Sequence, residues 1–203
     1  MSIALVETPL EPGFNSPALD AQIAFRSLME AWARPGTIAH LPLASPPPSL
    51  NEAAASIALT LCDGDTPVWL SQKASASQNW LRFHCSCSVV EAQDQRKAAF
   101  GISTLGEMPP LGSFSVGSAV SPEEGATLLV MLPEDDASQP DLILNGPGIA
   151  GERRLAGFSL PSAVLDERAS LARLYPAGLD LILVRKDKAV CLPRTTSIRV
   201  EIT

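Results

Sequence analysis

Residues 14–36, FNSPALDAQIAFRSLMEAWARPG, spell out a helix with both ends marked, and the rest of the chain has to be arranged around it. Ser16 stands where an N-cap is wanted, its hydroxyl able to accept from an orphan backbone N–H of the first turn. Pro17 follows at the first helical position, where its missing N–H costs nothing and its fixed φ helps. Phe25, Leu28, Met29 and Trp32 recur at helical spacing and predict one continuous apolar stripe. Asp20 lies near the positive end of the helix dipole and Arg34 near the negative end. Pro35-Gly36 then stops the helix, and an extended run, 37–43, follows at once.

Bulk properties bound what surrounds that helix. A chain of 203 residues suits one domain over 1–203, with 1–13 as an apolar, proline-containing arm lying on the domain or on a partner. Hydrophobic content of 46% against 18% charged residues is the balance of a folded protein. It also leaves room for a buried subunit contact. The net charge of −7 argues against nonspecific nucleic-acid binding, which needs clustered Lys and Arg. No apolar run approaches the roughly 18–20 residues of a membrane span, so no membrane role is expected. The N-terminus lacks a basic region ahead of a long apolar one, so no signal peptide is read and a cytoplasmic protein is expected. Cys62, Cys85, Cys87 and Cys191 should then be reduced thiols.

Helical and extended patterns alternate down the chain. After Pro46-Pro47-Pro48, Ser49-Leu50-Asn51-Glu52 has the form of a capping box, with Ser49 as cap and Glu52 reaching back. Leu50, Ala54, Ile57 and Leu61 then define one helical face, and 66–70 reads as a short buried strand. Residues 75–84 predict a third helix with Trp80, Leu81 and Phe83 as bulk. Residues 88–90 and 114–116 are candidate short strands, and 93–98 is a polar turn before AFGIS. Residues 127–132 read as a strand, followed by an acidic loop, 133–139. A strand at 142–144 ends in Asn145-Gly146-Pro147-Gly148, and 153–158 can return against it as a hairpin. Residues 161–174 predict a helix, 179–184 an apolar strand turning at Lys186-Asp187-Lys188 into 189–192, and 197–202 a last strand. The alternation favours a layered α/β domain, and the terminal hairpin favours a mixed sheet.

The opening motif, with Asp20, Phe25, Arg26, Met29, Ala33, Arg34, Pro35 and Gly36, resembles the signature of the PhnH family, a subunit of the bacterial carbon–phosphorus lyase system. Similar landmarks follow in order across nearly the whole chain: TPVWL (66–70), WLRFH (80–84), NGPGI (145–149), YPAGLDLILV (175–184) and LPRTT (192–196). The resemblance implies a three-layer α/β/α fold with a mixed sheet, related to type I pyridoxal-phosphate transferases. It implies a homodimer when isolated, and PhnG, PhnI and PhnJ as partners. It also implies a part in forming ribose 1-phosphonate 5-triphosphate from a nucleoside triphosphate and an alkylphosphonate.

Candidate chemistry is sparse. The implied fold raises pyridoxal phosphate, which needs a Schiff-base lysine. Lys73, Lys97, Lys186 and Lys188 all fall in polar turns or at helix edges, so no cofactor is expected. His84-Cys85-Ser86-Cys87 could bind zinc, yet structural zinc sites draw on two separated ligand pairs, and none matches here. Buried free thiols are the better reading, and no metal is expected. The 145–148 loop can cradle an anion or simply turn at a strand end; it is no Walker A loop, lacking Gly-Lys-Ser/Thr. Arg34 and Arg194 carry guanidinium forks that match phosphonate oxygens or a partner's carboxylates equally well.

No residue earns a catalytic label. Arg34, Gly36, His84, Asn145, Gly146, Gly148, Arg194 and Thr195 are candidate ligand or interface positions. The reading is an accessory, noncatalytic subunit. Its rivals are a transferase-type subunit with its own nucleotide or phosphonate cleft, and a purely structural homodimeric scaffold. No three-cysteine set with cluster spacing is present, which assigns the radical iron–sulfur step of that system to another chain.

Overall fold

In the computed structural model, which describes residues 12–134 and 140–201, the first helix, α1, runs Pro17–Ala33. Its start differs from the expected cap. The Ser16 hydroxyl makes no capping bond; instead the Ser16 backbone N–H donates to the Asp20 carboxylate at 2.8 Å. The buried face differs too. Ala24, Leu28 and Ala31 are buried, whereas Phe25 and Met29 are 48% and 52% exposed. Small residues face inward because α1 packs closely on α2 (Glu52–Leu61), itself rich in alanine, and larger side chains there would hold the two helices apart.

The helix α2 is buried almost all round, from Ala53 through Ala58, rather than along one face. It lies between α1, α3 (Gln78–Cys85) and the main sheet. Its cap is Asn51, whose side chain accepts from the Ala54 N–H at 2.8 Å, two residues later than the expected Ser49. Ser49 donates its hydroxyl to the Ala74 carbonyl instead. Mid-helix, the buried Ser56 hydroxyl accepts from Ala44 N–H and contacts the Pro42 and Glu52 carbonyls, tying the preceding segment to the helix.

Six strands make the main sheet: β1 (Ile38–His40), β2 (Val68–Leu70), β3 (Phe100–Thr104), β4 (Thr127–Met131), β7 (Asp180–Arg185) and β8 (Lys188–Leu192), in the order β1-β8-β7-β4-β3-β2. The four strands β7, β4, β3 and β2 are parallel, and β1 and β8 add antiparallel pairings at one side. β3 holds most of AFGIS, a run that sequence alone does not mark as a strand because Gly101 interrupts its apolar residues. The candidate strands at 88–90 and 114–116 reduce to single bridges, Val68 with Val89 and Val116 with Gly125. Three further strands, β5 (Leu142–Asn145), β6 (Arg153–Leu155) and β9 (Ser197–Val200), form a small antiparallel sheet, as the hairpin and the final strand predict.

Alternation along the parallel strands builds two cores. Phe100, Ile102, Leu129, Met131, Ile182 and Val184 face α1, α2 and α3. Leu128, Val130, Leu181 and Leu183 face the opposite way, onto the small sheet and α4 (Ser162–Leu171). The layer on that second side is thus part sheet and part helix, where an all-helical layer was expected. Register aligns the amino ends of the strands: Val68 pairs with Phe100, Phe100 with Thr127, and Thr127 with Asp180. That shared edge carries the cleft described next. Residues 1–11 of the expected arm and 135–139 of the acidic loop lie outside the described residues.

Candidate functional site

Three of the landmark motifs meet at one junction. After α1, the 34–37 turn is held by Arg153 of β6, whose guanidinium donates to Thr37 Oγ1 at 2.8 Å and to the Pro35 and Arg34 carbonyls at 3.2 and 3.4 Å. Gly36 lies beneath the same Arg153 stem and Leu144. The 145–148 loop packs onto this turn. Gly148 has φ +82°, and a Cβ there would run into the Ala33 carbonyl oxygen. On its other side Gly146 abuts the 193–196 turn, where a Cβ would lie 2.8 Å from the Thr195 carbonyl oxygen. Asn145 closes the loop by donating its side-chain amide to the Gly151 carbonyl at 2.8 Å. Gly146 and Gly148 thus serve close chain-to-chain approach at this junction.

The 193–196 turn is fixed from two directions. Arg194 donates through its guanidinium to Asp180, with Nη2 to Oδ2 at 2.6 Å and Nε to Oδ2 at 3.1 Å, while its backbone N–H donates to Oδ1 at 2.6 Å. Its Nη1 donates to the Pro122 carbonyl at 2.7 Å. From the interior, Arg168 of α4 donates to the Leu179, Leu192 and Pro193 carbonyls. Burial pushes Arg168 down to about 10, which still leaves it cationic at neutral pH.

Beside this turn opens a cleft of about 720 Å³. It lies off the amino ends of β3, β4 and β7, the opposite end from the carboxyl edge where open α/β sheets usually bind ligands. Trp32, Leu61 and Phe100 give it apolar walls; Thr66, Thr127 and Thr195 add hydroxyls. Its charge is one-sided. Glu123, Glu124 and Asp180 line it, and the single cation among its described lining residues is Arg194, already committed to Asp180. A smaller hollow of about 470 Å³ at the carboxyl side is no more cationic, with Glu52, Glu134 and Asp187 against Lys186, which pairs with Glu134 at 3.6 Å. Among the described lining residues, carboxylates outnumber cations on both hollows, which disfavours an anion.

The remaining predicted positions lie apart from the cleft. Arg34 is exposed and pairs with Glu30 one turn back at 2.7 Å, so the two arginines do not converge. His84 lies tilted against Trp80 and edge-to-face with Phe83, with ring centroids 4.7 and 5.0 Å away, and Gly13 runs close to its imidazole. All four cysteines are buried. Burial raises the Cys62 and Cys191 thiols, and a hydrogen bond from Cys85 to Cys87 raises the first and lowers the second. All four lysines are exposed.

Several residues that shape the site escaped the sequence reading. Asp180 had a legible signal, a lone carboxylate opening an apolar strand. Helical spacing puts Trp32 in the core stripe, and it does pack against the core, but spacing does not reveal that it also walls the cleft. Arg153, Arg168, Glu123 and Glu124 carried none, because nothing in their local spacing marks a contact made across the fold.

The sequence comparisons run through this same junction. The family described as bacterial phosphonate metabolism protein (PhnH) matches residues 12–199, which take in all three motifs that meet there. The chain is 40% identical over 191 residues to alpha-D-ribose 1-methylphosphonate 5-triphosphate synthase subunit PhnH of Rhizobium meliloti (strain 1021), covering 93% of this chain and 94% of that one. It is 33% identical over 180 residues to a protein of Stutzerimonas stutzeri named "Putative C-P lyase subunit protein HtxG", covering 89% and 86%. With nearly its full length matched, the chain belongs to the PhnH family.

Proposed function

We propose that this protein is an accessory, noncatalytic subunit of the carbon–phosphorus lyase system, required for forming ribose 1-phosphonate 5-triphosphate but not itself holding the nucleotide or the phosphonate. The observation that carries this reading is the state of Arg194. It is the one cation among the described residues lining the larger cleft, and Asp180 pairs with it at 2.6 Å. A triphosphate or phosphonate bound there would have to displace that pair and approach Glu123 and Glu124, with no free guanidinium or ammonium in return. The names of the two relatives support the setting, since both describe subunits.

The rival with its own binding cleft draws on volume alone: about 720 Å³ is room for a nucleotide. Charge opposes it. The candidate residues fit structural and interface duty instead. Gly36, Asn145, Gly146 and Gly148 hold the junction, Arg194 and Thr195 form the cleft wall, and Arg34 and His84 sit at separate points of the surface. PhnG-, PhnI- and PhnJ-type subunits are the partners put forward, in the cytoplasm. The isolated chain is taken to be a homodimer, for which Leu174 and Tyr175, 49% and 68% exposed, offer an apolar contact. The mixed sheet with four parallel strands suits a scaffold related to pyridoxal-phosphate transferases, and the exposed lysines suit one without the Schiff base.

Reconstitution tests the role. The other three subunits, supplied with nucleoside triphosphate and methylphosphonate, are expected to form little ribosyl phosphonate product until this chain is added. The chain alone should form none. Turnover by the isolated chain, or full activity without it, would sink the reading.

A further inference from the structure

The cleft is continuous with one side of α1. Phe25, Met29 and Trp32 are spaced i, i+4, i+7 and so fall on that one side, and Trp32 is also a wall of the cleft. Phe25 and Met29 are half exposed, so an apolar ridge about 10 Å long leads into an apolar-walled hollow. Glu123 and Glu124 line that hollow and are themselves exposed, and neither forms an ion pair among the described residues. A monomeric surface has little reason to keep an apolar ridge beside two unpaired carboxylates unless something covers both.

Resting on the assembly role above, we propose that this ridge and cleft together receive a segment of a partner subunit that presents apolar side chains next to lysine or arginine. The apolar side chains cover Phe25, Met29 and Trp32. The cation answers Glu123 and Glu124, which Arg194 cannot do because Asp180 holds it. A second copy of this chain fits the same face poorly. In a two-fold contact the facing cleft would bring the same two carboxylates and the same committed arginine, on a chain already at −7.

The test uses the full chain against the assembly of the other subunits purified without it. Binding is measured by interferometry for wild type, for Glu123→Lys with Glu124→Lys, and for Phe25→Ser with Met29→Ser. Self-association is followed in parallel by light scattering. Each double variant is expected to bind the assembly about tenfold more weakly or worse. The charge-reversal loss should shrink at high salt, while self-association and thermal midpoint stay at wild-type values. Carbodiimide coupling of the wild-type complex should join Glu123 or Glu124 to a lysine of another subunit. Wild-type binding with indifferent variants would overturn the proposal alone. Variants that lose self-association but keep assembly binding, or a crosslink between two copies of this chain, would assign the face to a second copy and overturn it too. A wild-type chain that fails to bind the assembly would overturn the assembly role, and this proposal with it.

Discussion

At Gly148 a side chain would meet two penalties at once, a left-handed φ of +82° and the Ala33 carbonyl oxygen. At Gly151 it would meet one, since φ is +76° but nothing lies within 4 Å of a Cβ. The pair therefore separates conformational cost from close approach. Gly151→Ala should cost about 1 kcal/mol, the ordinary price of the left-handed region. Gly148→Ala should cost about 3 kcal/mol, because the end of α1 has to move as well. Urea denaturation midpoints measure both, and equal losses would mean that the junction is looser than described. The cysteines make a second prediction at this scale. Cys62, Cys85, Cys87 and Cys191 are buried, so a thiol reagent at mild alkaline pH should modify none in the native protein and all four once it is denatured. Fast labelling of Cys87 in the native protein, favoured by its lowered pKa, would show that its burial is transient.

Among the elements, α2 decides between two caps. Asn51→Ala should cost about 1 kcal/mol, the usual loss of a side-chain cap. Ser49→Ala removes only a long hydrogen bond of 3.4 Å to Ala74 and should cost clearly less. The helix α1 gives a sharper contrast. Leu28→Ala should cost about 3 kcal/mol, as for a leucine in a packed core. Phe25→Ser with Met29→Ser should change stability by less than about 1 kcal/mol, because both side chains stand half in solvent. Both helices were legible in existence and length, since capping residues and prolines act locally. Their faces were less so. The Phe25–Leu28–Met29–Trp32 stripe has helical spacing, but spacing cannot say which members are buried. Leu28 is, beside Ala24 and Ala31 where two helices approach closely, while Phe25 and Met29 stand half exposed. The capping box failed because α2 begins at Glu52, which puts Asn51 at the cap, while the Ser49 hydroxyl is engaged by the distant Ala74 carbonyl.

For the whole molecule, the mixed sheet and both hairpin pairings followed from apolar runs and turn residues. The landmark motifs, by contrast, are neighbours through folding alone. Nothing in their sequences says that the 145–148 loop lies between the end of α1 and the 193–196 turn, or that Asp180 captures Arg194. That capture leaves Arg194 paired on a cleft also lined by Glu123 and Glu124, which is the basis for proposing that no nucleotide binds there. The most direct measurement is a calorimetric titration of the isolated protein with nucleoside triphosphate, and then with methylphosphonate. The account predicts no saturable heat up to about 1 mM ligand. Saturable binding at micromolar ligand by the chain alone would contradict it, because Arg194 would then have to leave Asp180 to serve an anion.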